Sequence, residues 1–245
     1  DHEHLSAGEV MQTLRCAVVA VVAFFSAGAL NAAPAPLARL DEDVVPVSQA
    51  ITLELDPSQA DYAGSVEIVL DVKRPVRSFR LHAEDIELHT ITLTGPGSQA
   101  KAIPLVAKKL ADGQIKVAAP RPIPQGRHRL RIEFRNNFDT QAKGLYRLKV
   151  AETWYAFTQF EAIEARQAFP CWDEPAFKIP YRITLTVPAA DSAIANTAVE
   201  SEVEHDGKRT TIFARLNCLN SLTTIRALSP LFTVNKPWKR ASRLF

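Results

Sequence analysis

The sequence contains few cysteines, one methionine and no complete catalytic motif. Three cysteines in 245 residues cannot build a disulfide framework. The chain has no H-E-x-x-H, no Cys/His spacing for zinc, no G-x-S-x-G, no P-loop and no dinucleotide-binding fingerprint. We therefore expect no catalytic residue, no metal ligand and no bound cofactor in this chain.

The sequence also lacks a large excess of positive or negative charge. The formal net charge is +2, and no basic stripe interleaved with aromatic residues occurs before the last forty residues. Because nucleic-acid-binding proteins need such a surface, nucleic acid is not an expected partner. A composition of 47% hydrophobic and 23% charged residues is typical of an ordinary globular protein.

The first 33 residues have the pattern of an export signal. Met11 is followed by Arg15 and by an apolar run at 16–30, which ends near the small residues Ala32 and Ala33. A membrane span needs about 20 apolar residues. We therefore predict that residues 11–33 are a cleaved signal peptide and that the protein is periplasmic or extracellular, without a stable membrane anchor. An uncleaved anchor is the alternative. Residues 1–10 are acidic and precede Met11, which predicts an over-extended gene start.

Between residues 40 and 206 the sequence predicts an all-β domain. Short runs alternate polar and apolar residues, and turn-forming residues separate them. Examples of the runs are residues 51–56, 65–72, 86–94 and 128–136. Because no helical run intervenes, we expect an antiparallel β-sandwich. Residues 161–169 are rich in helix formers and end before a proline, so they predict one short helical turn.

Polar residues at the end of a predicted strand form a candidate binding site. Gln159 and Glu161 are two residues apart, so a strand places them on one face and turns Thr158 and Phe160 to the other. A carboxylate beside an amide oxygen could bind a cation such as an α-amino group. From spacing alone, the preferred interpretation is that the two residues cap the helical turn that follows.

The next segment predicts a rigid loop. We expect Arg166 to pair with Asp173 or Glu174 and Trp172 to pack beneath it. Prolines make such a loop stiff. They are Pro170 and Pro175. Whether Cys171 and Cys218 form a disulfide stays open, because sequence does not give their separation.

Two stretches carry a resemblance to a known family. GLYR at 144–147 and YAFTQFEAIEARQAFPCWDEPAFKIPYRITLTVP at 155–188 closely resemble the N-terminal domain of the aminopeptidase N family, the zinc gluzincin aminopeptidases. Weaker similarity begins at Tyr62, at Leu81 and at Gly126. The resemblance covers residues 45–214.

The resemblance implies a saddle-shaped β domain docked on a separate catalytic domain that holds zinc and the exopeptidase loop. It also implies roles for the candidate pair: Gln159 lines the pocket for the first side chain of the substrate, and Glu161 accepts its free α-amine. This implication replaces the capping interpretation. Peptide N-termini and a catalytic domain absent from this chain are then the expected partners.

The last segment departs from the family pattern. Residues 207–245 contain no Asp or Glu but eight Lys and Arg residues. We predict a degenerate or frame-shifted tail, with truncation and a natural end as alternatives. The leading hypothesis is the substrate-recognition domain of a secreted zinc aminopeptidase, inactive alone. The rival is an exported, non-catalytic β-sandwich that binds peptides or proteins. An H-E-x-x-H encoded beyond Phe245 in another frame would favour the first.

Overall fold

The fold is known from a computed structural model that describes residues 39–97, 101–216 and 232–235. The predicted upstream extension, the predicted signal peptide and Cys218 lie outside these residues. Within them, no helix is long and apolar enough to span a membrane.

The described residues form strands joined by turns, with one short 3-10 helix. This confirms the all-β prediction and the single helical turn expected at 161–169. The helix, η1, is Ala165–Gln167. The strands are β1 Val44–Glu54, β2 Asp61–Val72, β3 Val76–His82, β4 Glu87–Thr94, β5 Ile103–Pro104, β6 Val106–Lys109, β7 Gln114–Ile123, β8 Gly126–Asn137, β9 Gly144–Val150, β10 Thr153–Gln159, β11 Tyr181–Pro188, β12 Ser192–Ala195, β13 Val199–His205, β14 Lys208–Phe213 and β15 Phe232–Asn235.

The strands form three open sheets. The largest has the order β13-β14-β11-β1-β2-β8-β4-β5, the second β12-β15-β10-β9, and the third β3-β7-β6. One pair departs from the predicted antiparallel arrangement: β1 and β11 are parallel, with Ile51 opposite Ile183. Alternation of apolar residues specifies a buried face but not a strand direction, so the sequence pattern could not show this pair.

The large sheet has one apolar face and one charged face. On β2 and β8 the buried residues alternate as predicted: Val66 lies opposite Ile132, and Ile68 lies opposite Leu130. The other face carries exposed ion pairs such as Arg135 with Asp61. Burial of the apolar face provides the main driving force for this sheet.

The sheets continue past residue 206. Strand β14 pairs with β11 and β13, and β15 pairs with β10 and β12. Phe213 of β14 is fully buried in the core. The first residues of the predicted tail are therefore part of the large sheet.

Candidate functional site

Strand β10 ends at the candidate pair. Gln159 is its last residue and lies opposite Gly144 of β9. Gln159 and Glu161 are both exposed, whereas Thr158 and Phe160 are buried. The predicted alternation of faces is present, although Glu161 itself lies in the turn beyond the strand.

The two residues are linked through the backbone of that turn. The side-chain Oε1 of Gln159 accepts a hydrogen bond from the backbone N–H of Glu161 at 3.3 Å. The peptide bond between Glu161 and Ala162 is cis. Residue Glu164, not the pair, occupies the N-cap of η1, and it makes no side-chain capping bond. Gln159 thus stabilises the turn locally.

A buried ion pair follows this turn in the chain. The Nε of Arg166 donates to Oδ2 of Asp173 at 3.0 Å, and the side chains are 3% and 0% exposed. The guanidinium also donates to the carbonyls of Asp173, at 2.8 Å, and of Asp112, at 3.0 Å. These bonds close the segment from 166 to 173 into a compact loop, which we call the brace.

The brace is joined to β3. The backbones of His82 and Cys171 exchange two hydrogen bonds, at 2.9 and 3.0 Å. Nδ1 of His82 accepts from the N–H of Asp173 at 3.2 Å. Burial, followed by the positive charges of Arg166 and Arg80, lowers the pKa of His82 to about 3. His82 is therefore a neutral acceptor that supports the loop at ordinary pH.

Burial raises the pKa of two other groups of the brace. Burial raises the pKa of Asp173, although the adjacent Arg166 opposes the shift. Burial also raises the pKa of Cys171 well above its usual range. Because the thiolate is the nucleophilic form of cysteine, Cys171 is not set up as a nucleophile.

The remaining predicted loop residues take separate positions. Trp172 is buried and stacks on Phe79 with ring centroids 6.1 Å apart. Pro170 is buried and Pro175 is exposed. Of the two acidic partners expected for Arg166, Asp173 forms the pair. Oε1 of Glu174 instead accepts from the backbone N–H of Leu40 at 2.7 Å.

Sequence reasoning missed three side chains that hold the brace from the large sheet. They donate to three backbone carbonyls of the brace: Gln49 to Pro170 at 2.9 Å, Tyr62 to Ala168 at 2.7 Å and Asn136 to Gln167 at 2.7 Å. Tyr62 and Asn136 lie in two of the segments with weaker similarity to the family, and this similarity could have pointed to them. Gln49 had none.

The described part of the chain does not fit a metal ion. It contains no group of three or more His, Cys, Asp or Glu side chains that could hold one. The buried imidazole of His82 already uses Nδ1 to accept the N–H of Asp173. No catalytic step through zinc follows from these residues.

Two clefts lie on the surface of the described residues. A polar cleft of about 390 Å³ lies beside the brace and is lined by Asn136, Asp139 and Gln167 among others. Another of about 510 Å³ lies between β4 and β6. Neither is lined by Gln159 or Glu161. Both residues of the pair are exposed to solvent.

This fold and motif define a recognised class of domain. The model of the Peptidase M1 N-terminal domain matches residues 45–221, well over half of the 245-residue chain. The chain belongs to the peptidase M1 family and contains its N-terminal domain, which confirms the resemblance.

Individual relatives agree with this assignment. Aminopeptidase M1-C of Oryza sativa subsp. japonica is 34% identical over 170 residues, which cover 67% of this chain and 19% of that protein. Aminopeptidase M1 of Arabidopsis thaliana is 32% identical over 171 residues, with 67% and 20% covered. Aminopeptidase 2, mitochondrial, of Saccharomyces cerevisiae is 29% identical over 188 residues, with 71% and 19% covered. The chain thus spans about a fifth of the length of these relatives.

Proposed function

We propose that this chain is the substrate-recognition domain of an exported zinc aminopeptidase, and that it binds the free N-terminus of a peptide without cleaving it. Gln159 contacts the first side chain, and Glu161 accepts the α-ammonium group. The observation that carries the proposal is the exposed Gln159 and Glu161 pair at the end of β10, which the buried brace follows in the chain.

The chemistry of the pair suits an ammonium ligand. A carboxylate accepts charge-assisted hydrogen bonds from an ammonium group, and such bonds are about twice as strong as neutral ones. A peptide whose amine is acetylated has lost the positive charge and would leave the carboxylate unmatched. The same pair therefore gives both affinity and selectivity for chain ends.

The family assignment supports a separation of substrate recognition from catalysis. The named relatives are aminopeptidases, and this chain matches about a fifth of their length. Zinc and the groups that activate water would come from the remaining part of such an enzyme. The predicted signal peptide at 11–33 supports export.

Titration of the isotope-labelled full chain with leucinamide and with N-acetyl-leucinamide tests the proposal. We expect leucinamide alone to shift the backbone amide resonances of residues 159–162 in a two-dimensional NMR spectrum. Glu161→Gln keeps the shape of the side chain but removes its charge, and we expect it to weaken leucinamide binding about tenfold or more.

Glu152→Gln is the matched control, because Glu152 is an exposed glutamate on the turn between β9 and β10. It should leave leucinamide binding unchanged. Equal binding of the free and acetylated ligands would reject amine recognition and favour the rival peptide-binding module. Release of an amino acid from an aminoacyl anilide by the pure chain with zinc would reject the inactive state.

A further inference from the structure

Tyr62 and Asn136 form a cross-strand pair that points into the brace. They lie directly opposite each other on β2 and β8. Tyr62 donates its hydroxyl to the Ala168 carbonyl, and Asn136 donates its side-chain amide to the Gln167 carbonyl, both at 2.7 Å. Two adjacent carbonyls of the brace are thus fixed by two adjacent strands of the large sheet.

The hydroxyl of Tyr62 is a buried donor. Tyr62 is 3% exposed, and burial raises the pKa of its phenol above its ordinary value. The proton therefore stays on the oxygen. The ring is held separately by Phe138 and Phe134, at centroid distances of 5.0 and 6.5 Å. Because the ring is packed without the hydroxyl, removal of the oxygen leaves the ring packing in place. It changes two contacts of the hydroxyl: its bond to Ala168, and the bond that it accepts from Nδ2 of Asn136 at 3.4 Å.

The fixed carbonyls lie next to Phe169, whose ring packs against Phe160, the residue between Gln159 and Glu161. Phe169 follows Ala168 and is fully buried. Its ring meets the ring of Phe160 edge-on, with centroids 5.6 Å apart. Phe160 lies between Gln159 and Glu161 in the chain, and its carbonyl accepts the N–H of Glu164 at 3.1 Å. A continuous path of packed groups joins the large sheet to the pair.

We infer that Tyr62 and Asn136 are positioning residues for amine recognition. They do not touch the ligand; through Ala168, Phe169 and Phe160 they hold Gln159 and Glu161 in one arrangement. A preorganised acceptor binds more tightly because less conformational entropy is lost on binding. This inference rests on the proposed function, since it concerns the same pair.

Two variants remove the two donors with little change of shape. Tyr62→Phe deletes only the hydroxyl. Asn136→Asp puts a carboxylate where the amide donated to Gln167, while the other oxygen can still accept the N–H of Asn137. Hydrogen–deuterium exchange followed by mass spectrometry measures local opening of each full chain. We expect exchange at residues 160–164 to become about tenfold faster in both variants.

Thr186→Val is the matched control, because it removes another hydroxyl contact, Thr186 with Thr210 at 2.9 Å, between β11 and β14. It should not speed exchange at 160–164. The leucinamide titration gives the second readout: we expect the preference for leucinamide over its N-acetyl form to fall about tenfold in Tyr62→Phe and Asn136→Asp, but not in Thr186→Val.

The outcomes distinguish a failure of the positioning role from a failure of the proposed function. Equal ligand preference in the parent chain and both variants, or unchanged exchange at 160–164, overturns the positioning role alone. A parent chain that does not distinguish the two ligands overturns the proposed function, and the exchange data still show whether Tyr62 and Asn136 hold the segment. If Tyr62→Phe does not fold, Asn136→Asp decides the question.

Discussion

The stretch from 159 to 173 contains two carboxylate regions in opposite environments. Glu161 at its start is exposed beside Gln159, whereas Asp173 at its end is buried against Arg166. In the buried region, the Arg166 guanidinium donates to Oδ2 and to the backbone carbonyl of Asp173. Two acidic residues of one motif thus differ in burial: Asp173 supports the brace, and Glu161 is the residue for which we propose amine recognition.

Removing each charge in turn is the sharpest test of this difference. Asp173→Asn leaves the Arg166 guanidinium buried without its counterion, and we expect a loss of about 3–5 kcal/mol in the free energy of unfolding. Glu161→Gln makes the same chemical change at the exposed end, where we expect less than about 0.5 kcal/mol. Urea denaturation monitored by circular dichroism measures both. Similar losses for the two variants would contradict the division of roles.

The pH dependence of stability tests the brace at His82. The unfolded histidine binds a proton near pH 6.5, but the folded one resists protonation down to a pKa of about 3. The unfolded chain therefore holds more protons between these values. Stability should fall as pH is lowered from 6.5 towards 3, by up to about 1.4 kcal/mol per pH unit, and this contribution is constant above pH 6.5.

His82→Asn isolates this contribution, because the amide oxygen of Asn can still accept the N–H of Asp173. The free energy of unfolding is measured from pH 7 to pH 4 for both chains. The parent chain should lose more stability than the variant across this range. Parallel curves would show that His82 has no such role.

Gly144→Ala tests the junction between the two regions, and we expect a smaller loss of stability there than for Asp173→Asn. Gly144 lies opposite Gln159, and its φ is +55°. A Cβ there would come 3.2 Å from the Glu164 carbonyl oxygen and from Cβ of Gln167. Gly144→Ala should cost about 1–2 kcal/mol from its backbone conformation, with a further cost from these contacts. Thermal unfolding measures the change.

Gly207→Ala is the control, since its φ is +72° and no atom lies within 4 Å of the added Cβ. It carries the backbone cost without the contacts. A larger loss for Gly144→Ala shows that the brace presses against β9. Equal losses would mean that β9 and the brace are not closely packed at this point.

Much of the fold was predictable from local pattern. Alternation located β2, β4 and β8, because a half-buried strand repeats its environment every second residue. The short strands β5, β6 and β12 were not predicted, since 2 to 4 residues are too few for alternation to be visible. Strand β14 fell in a segment whose lack of acidic residues suggested a tail.

The candidate pair could be predicted from a local sequence motif. The residues that support it could not. Gln159 and Glu161 stand in a local motif that the sequence displays directly. Tyr62 and Asn136 contact the brace over separations of 106 and 31 residues. Gln49 does so over 121. Such contacts depend on how strands pair, and no local pattern records that.

The sequence by itself determined the class of structure, the faces of the main strands and the motif at 155–188, because these follow from residue chemistry at short range. Only the tertiary structure decided that Arg166 pairs with Asp173, that Glu174 bonds Leu40 instead, and that β1 and β11 are parallel. Each of these choices depends on which distant groups folding brings together, and on the cost of burying a charge without a partner.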